Sequence, residues 1–251
     1  MNDEWIVGKN PVIEALRSGR PINKIWIAEG VGKQQLGPLL SLAKERGVVI
    51  TSANRKKLEQ LSGSQHHQGV IASVAAYQYA DVSDLLDKAR EKGEAPFLLI
   101  LDELEDPHNL GSILRTADAV GAHGVVIPKR RSVGLTAAVA KASAGAIEYV
   151  PVARVTNLVR TIEELKQHGV WIAGTDADAP QDFREGDFAL PLALVIGSEG
   201  KGISRLVREH CDFMYRLPMV GRVTSLNASV AAALLMYEVY RARRPLPSQV
   251  K

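Results

Sequence analysis

The pattern of apolar and polar positions changes character twice along this chain of 251 residues. In the first third, short amphipathic stretches alternate with short β-branched ones. Asn10-Pro11 reads as a helix N-cap followed by proline at N1, and Gly19 closes that helix. Lys24 to Ala28 alternates as a strand does, and Leu36 to Arg46 is helical in period and stops at Gly47. The β-branched run Val48-Val49-Ile50-Thr51 predicts a strand, Asn54 to Leu61 a short helix ending near Gly63, and Gly69 to Ala75 a further strand. The expectation is a compact α/β domain over residues 1–76.

From Tyr77 to Ala95 the chain turns polar, with one amphipathic stretch at Val82 to Lys92, and reads as a linker carrying a helical turn or two. Beyond it the character changes again. Continuous apolar runs at Phe97–Leu101, Gly124–Ile127, Val170–Ala173 and Leu192–Ile196 suit strands buried on both faces. Helical patterns separate them at Ile113–Val120, Thr136–Ala144 and Leu158–His168. Such alternation predicts a mostly parallel sheet over residues 96–251. A last helix runs from Ala228 to about Arg243 and is apolar nearly all round at Val230 to Met236, which places it in a core or a subunit interface.

Composition narrows the class without naming a function. The 46% apolar and 24% charged residues are those of a globular protein, and no apolar run reaches the roughly 18 residues a bilayer span needs. Met1-Asn2-Asp3-Glu4 lacks the basic-then-apolar pattern of a secretory signal, so the expected location is cytoplasmic, with no membrane partner. Net charge is +3, but the first 76 residues hold ten Lys/Arg against six Asp/Glu, whereas the rest is nearly balanced. An anionic partner is suited by that asymmetry, as an ordinary solvated surface also is. The single Cys211 reads as a buried structural thiol. His66-His67 has no partner ligands at metal spacing and reads as loop surface, so no metal is expected.

Three segments stand where ligands bind in open α/β sheets, beyond the carboxyl ends of strands. The first runs from Asp102 through Asn109 to Gly111 and enters a helix at Ser112, with Arg115 in about its first turn. A polar loop entering a helix start offers unpaired backbone N–H groups to an anionic ligand, though Arg115 could equally pair with a nearby acid. The second, Gly197-Ser198-Glu199-Gly200-Lys201-Gly202, allows close backbone approach; its spacing is neither that of a Walker A loop nor of a dinucleotide fingerprint. The third, Leu217 to Asn227, leads into the last helix, and Ser225 or Asn227 could simply cap it.

Together these segments resemble the three motifs of the SpoU, or TrmH, family of RNA ribose 2′-O-methyltransferases, in order, residue type and spacing. The first motif looks like Asn109 through Arg115 to Ala119, the second like Ile196 to Gly202, the third like Ser225 to Ala231. Near the N-terminus, Gly8-Lys9-Asn10-Pro11-Val12-Ile13-Glu14-Ala15-Leu16 and His67-Gln68-Gly69-Val70-Ile71-Ala72 resemble the extra domain of a branch that modifies ribosomal RNA. That domain is similar to ribosomal protein L30e and holds RNA. The resemblance implies an α/β trefoil-knot (SPOUT) domain over 96–251, a homodimer, S-adenosylmethionine as methyl donor, and a guanosine of large-subunit ribosomal RNA as acceptor. It places Gly197, Leu217 and Leu226 against the cofactor, and Arg115, Asn109, Glu199, Ser225 and Asn227 around the reacting ribose.

A ribose hydroxyl is a poor nucleophile at neutral pH, so the charge growing on its oxygen must be stabilised or its proton removed. The resemblance gives this role to Arg115. Because a guanidinium stays protonated, stabilisation of the emerging alkoxide is the expected role, with RNA phosphate or water taking the proton. Asn109 would orient the ribose or Arg115, and Lys129-Arg130-Arg131 is a candidate phosphate contact or a solvated basic loop. Two other readings share these residues: a transfer-RNA methyltransferase, and an RNA-binding assembly factor without catalysis. A nicotinamide enzyme would need a glycine fingerprint followed by an acid about 20 residues on, and no such unit is found.

Overall fold

The computed structural model describes residues 4–32, 36–63, 66–74, 77–223 and 225–245. Met1, Asn2, Asp3, Ala75 and Thr224, which enter the sequence reading above, lie outside the described residues. The chain divides into two compact units, one of Met1–Gln78, Leu110–Arg115 and Leu135–Tyr149, the other of Tyr79–Asn109, Thr116–Gly134 and Val150–Lys251.

The first unit contains β1 (Glu4–Val7), α1 (Lys9–Arg17), β2 (Ile22–Ala28), α2 (Gly37–Glu45), β3 (Ile50–Ala53), α3 (Arg55–Ser62) and β4 (Val70–Val74). Its sheet has the order β1-β4-β2-β3, with β4 antiparallel to both neighbours and β2 parallel to β3. Fully buried β4 and the inward residues of α1 and α2, among them Val12, Leu16 and Leu39, make the core. Two local expectations shift. Helix α1 begins at Lys9 after Gly8, whose φ of 108° only glycine adopts readily, so Asn10-Pro11 falls inside the first turn. His67 is buried, not surface, because its Nδ1 accepts the Gly69 N–H at 2.9 Å and closes the turn into β4.

The second unit follows with α4 (Val82–Glu91), β5 (Phe97–Leu101), α5 (Pro107–Val120), β6 (Gly124–Pro128), α6 (Ala137–Ala142), β7 (Val152–Val155), α7 (Leu158–Gln167), β8 (Trp171–Thr175), β9 (Gln181–Asp182), β10 (Leu192–Ile196), α8 (Arg205–Glu209), β11 (Phe213–Arg216) and α9 (Ala228–Arg243). Of these, α6 and the middle of α5 belong to the first unit. The seven strands run in the order β7-β6-β5-β10-β8-β11-β9, and every pair is parallel. The continuous apolar runs β5 and β10 are buried along their whole length, as strands covered on both faces must be. The segment read as a linker holds α4, closed at its start by an Asp81/Asp84 capping box. Its Leu85 and Leu86 join Leu98, Ile100, Val126 and Val195 in the core, so the stretch is an integral layer rather than a tether.

Two devices fix the ends of this sheet. Arg243, the last residue of α9, donates to the backbone carbonyls of Ala95, Pro96, Phe188 and Leu190 and lies 5.4 Å from the Phe97 ring centre. It thereby ties α9 to the chain entering β5 and β10. His123 is buried before β6; its Nδ1 accepts the Phe97 N–H at 3.0 Å and its Nε2 lies 3.1 Å from Glu94. Burial lowers its pKa below the ordinary 6.5, with the Glu94 carboxylate opposing. The unfolded chain therefore takes up the proton more readily, and the contribution of neutral His123 is complete above pH 6.5 and lost as pH falls below it. The urea midpoint should fall as pH is lowered from about 7.5 to about 5. His123→Asn, which keeps an acceptor for the Phe97 amide, should show a flatter dependence; an unchanged slope would refute this account.

Candidate active site

Strand order reverses at β10, which lies between β5 and β8 although it follows both in the chain. Open α/β sheets bind ligands beyond the carboxyl end of a strand at such a point. A cleft of about 890 Å³ lies there, bounded by residues 175–178 after β8, 196–202 after β10 and much of 216–231 after β11. Its volume is that of a site for a nucleoside-sized ligand.

The glycine-rich segment forms one wall. Ser198 and Gly202 exchange backbone hydrogen bonds of 3.1 and 2.9 Å, closing a tight loop, and Gly200 and Gly202 take φ of 78° and 68° within it. A Cβ at Gly197 would overlap the backbone of Gly202 and Ile203, so the loop closes only on glycine. Asp102, at the end of β5, holds the loop's far side: its Oδ2 accepts the Ser204 N–H at 2.8 Å. Sequence reasoning passed over Asp102 as a site residue, since nothing sets it apart within a run of acids.

Asn109, Glu199 and Asn227 converge. Glu199 Oε1 accepts from Asn109 Nδ2 at 3.2 Å, from Asn227 Nδ2 at 2.5 Å and from the Ala228 N–H at 3.0 Å. Asn227 Nδ2 also donates to Asn109 Oδ1 at 2.9 Å. The capping role read for Asn227 is present as well, because its Oδ1 accepts the Ser229 and Val230 N–H groups at the start of α9. One side chain thus uses its carbonyl as a helix cap and its amide as a cross-link. Gly197, Leu217, Leu226 and Ser225 line the cleft, but Ser225 is exposed and joins none of these bonds.

Arg115 is not drawn into the network. Helix α5 starts at Pro107, behind an Asp106 cap that accepts the His108 N–H, so Asn109 is already helical and Arg115 lies eight residues beyond the first helical position. The expectation of Arg115 in about the first turn missed the proline at N1. Arg115 is exposed and makes no hydrogen bond or ion pair among the described residues. Of the basic loop after β6, Arg131 is paired with Glu103 at 2.8 Å. Both these residues take left-handed φ, 54° and 55°, on the rim of a second recess of about 600 Å³ that shares Ser198, Glu199 and Lys201 with the cleft. Cys211 donates to the Val207 carbonyl, and burial pushes its thiol up to about 12, far from a thiolate nucleophile.

Residues 96–237 match the model of the SpoU rRNA Methylase family, and residues 5–80 match that for RNA 2'-O ribose methyltransferase substrate binding. The chain belongs to the SpoU family. Among SpoU relatives, it is 64% identical over 243 residues to YacO of Bacillus subtilis, assigned by name to the TrmH family of tRNA/rRNA methyltransferases, covering 97% of each chain. The SpoU methyltransferase AviRb of Streptomyces viridochromogenes, solved in complex with AdoMet, is similar with a TM-score of 0.80 at 25% identity, covering 96% of this chain and 90% of that one. The A. aeolicus TrmH/SpoU tRNA modifying enzyme is similar at 31% identity with a TM-score of 0.54, covering 63% of this chain and 82% of its own. This SpoU protein is accordingly an RNA methyltransferase dependent on S-adenosylmethionine.

The cleft fits that cofactor. Ile196, Leu217, Leu226 and Ala231 give the cleft an apolar wall, and Ser198 Oγ is buried without a hydrogen-bond partner among the described residues, a polar group left for a ligand. If Asn227 holds the cleft together, two substitutions should separate. Asn227→Ala loses the cap, at about 1 kcal/mol, together with the cross-link. Asn227→Asp keeps the cap but sets a second carboxylate against Glu199. Both should weaken cofactor binding about tenfold in a calorimetric titration, whereas only the alanine variant should lower the urea midpoint clearly; full affinity in Asn227→Asp would refute the cross-linking role.

Proposed function

We propose that this chain transfers the methyl group of S-adenosylmethionine to the ribose 2′-hydroxyl of a guanosine in large-subunit ribosomal RNA, acting as a homodimer in the cytoplasm. The observation that carries the reading is the meeting of Asn109, Glu199 and Asn227 on one carboxylate oxygen beside the cleft. When bound, the cofactor supplies an electrophilic methyl carbon with a sulfide leaving group.

Within this reading Glu199 fixes the loop around the cofactor, and Asn109 and Asn227 lock that loop to the starts of α5 and α9. Gly197, Leu217 and Leu226 hold the cofactor. Arg115 stabilises the negative charge growing on the 2′-oxygen, while the proton leaves to water or an RNA phosphate, since a guanidinium has no basic form to offer at neutral pH. With no ion pair among the described residues, Arg115 has no carboxylate to break away from when it meets that charge. Ser225 completes the polar wall. The second recess carries the carboxylates of Glu103, Glu105 and Asp106 together with the cations Arg131 and Lys201, and Glu103 is already paired to Arg131. Guanine offers donors at N1 and N2 and an acceptor at O6, so a rim holding both carboxylates and cations suits a guanine edge.

The ribosomal assignment rests on the N-terminal unit. Arg55, Lys56 and Lys57 are exposed in the first turn of α3, the end of a helix where acids are favoured, and no acid is present there. Lys24 lies 5.2 Å from the Trp26 ring centre on β2 of the same sheet. Positive charge with no ion pair among the described residues, in a unit that also carries an aromatic ring, suits RNA. The dimer rests on α9, whose Val230, Leu234 and Tyr237 share one face and are 47%, 47% and 53% exposed. Among the described residues no helix is long and apolar enough to cross a membrane.

Labelled S-adenosylmethionine with unmodified large-subunit ribosomal RNA, and separately with unmodified transfer RNA, tests the acceptor. Label resistant to alkaline cleavage at one ribosomal guanosine is expected, with a loss of at least about a hundredfold in Arg115→Ala, a decrement typical of a transition-state donor. Transfer to transfer RNA alone would replace the acceptor, and transfer to neither would favour an assembly factor. Leu234→Glu should convert the dimer to a monomer by light scattering; a wild-type monomer would remove that part of the proposal.

A further inference from the structure

Arg115 belongs, by packing, to the unit that carries the N-terminal sheet. Between β6 and β7 the chain makes a long excursion, and its segment Leu135–Tyr149 lies in that unit too. The contacts that bind this segment are unusually specific. Arg20, just after α1, pairs with Glu148 at 2.9 Å, and both side chains are over nine-tenths buried at 8% and 7% exposure. The Arg20 guanidinium also lies 3.3 Å from the centre of the Tyr77 ring. Tyr149 Oη donates to Glu14 Oε2 at 2.7 Å, and Glu14 lies so close over Gly145 that any Cβ there would meet its side chain.

The same segment touches the helix of Arg115. A Cβ at Gly111 would overlap Ala142 and come within 2.9 Å of the Ser143 nitrogen, so α5 lies in backbone contact with the end of α6. Gly111 and Arg115 are four residues apart and share one face of α5. A continuous packed path therefore runs from α1, through Glu148 and Tyr149, across α6 to Gly111, and one helical turn on to Arg115.

We propose that Glu14, Arg20, Glu148 and Tyr149 are positioning residues for Arg115, so that the orientation of the oxyanion-stabilising arginine is set by the RNA-holding sheet. The proposal rests on the role given to Arg115 above. A buried ion pair is a costly way to gain stability alone, because desolvation offsets most of its attraction. What it gives is one geometry rather than several, and catalysis needs that at Arg115. The path ends at Arg115, so cofactor binding is not its target.

The test compares the full-length chain with Arg20→Ala/Glu148→Ala, which leaves neither charge buried alone, and with Glu14→Gln/Tyr149→Phe, which removes only the exposed arm and carries little folding risk. Single-turnover methyl transfer, RNA affinity by filter binding, cofactor affinity by calorimetry, and amide exchange over α5 and α6 are measured on each. The first variant should lose at least about tenfold in rate and the second about threefold, with both affinities within about twofold of wild type. Exchange over residues 110–115 and 137–142 should quicken in both. A rate within twofold of wild type, or RNA affinity falling in step with rate, would overturn the proposal. If the wild-type chain transfers no methyl group to RNA, the functional reading fails by itself, and the exchange measurement still decides whether the path to Arg115 exists.

Discussion

The second unit's cleft depends on one carboxylate oxygen. Glu199 Oε1 takes three donors, from Asn109, Asn227 and the Ala228 amide, and these come from segments separated by 90 and 28 residues. Loops after strands have little to hold them together, since their backbone groups point to solvent as readily as to one another. A charge-assisted hydrogen bond contributes more than a neutral one, about 1.5–3 kcal/mol where water is excluded and less at an exposed group such as Glu199. The Ser198–Gly202 closure ensures that this carboxylate is presented from a rigid turn. Loss of the carboxylate would release three segments together, which is why its geometry matters more than its strength.

The last helix transmits this constraint to the sheet. At its N-terminus, Asn227 caps the helix and engages Glu199; at its C-terminus, Arg243 gathers four carbonyls from the chain entering β5 and β10. Between them, Ala232, Leu235, Met236 and Val239 are buried. Helix α9 is thus fastened at both ends to the two central strands, whose carboxyl ends open on the cleft. Its opposite face, with Val230, Leu234 and Tyr237, has no such cover within the described chain.

How legible this was in the sequence depended on what each element must bury. Strands β5 and β10 were read to the residue because both faces are covered and the apolar run has sharp ends. Strands β7, β9 and β11 were missed: they have two to four residues and carry polar side chains, so periodicity has nothing to work on. Helix α4 was underrated because its polar face dominates the composition while only Leu85, Leu86 and Ala89 turn inward. The site residues came from the resemblance, not from spacing. Motif order could not show that Asn227 serves as cap and cross-link at once, nor that Ser225 lines the cleft without a bond. The start of α5 was set by Asp106-Pro107, which the sequence does announce, and the reading placed it five residues late.

The disposition of charge separates structure from chemistry in this molecule. Arg20, Arg131 and Arg184 each have a carboxylate within 3 Å, and Arg243 is spent on carbonyls. Arg115 has none of these among the described residues, although acids are abundant on the chain nearby. An arginine with an internal partner would have to break that pair before meeting a charge that exists only in a transition state, and the cost would be added to the barrier. On the proposed reading the unpartnered state of Arg115 is therefore part of its function. The same freedom leaves its direction unset by any bond of its own, so direction must come from the helix that carries it, and the rigidity of α5 against α6 becomes a catalytic quantity.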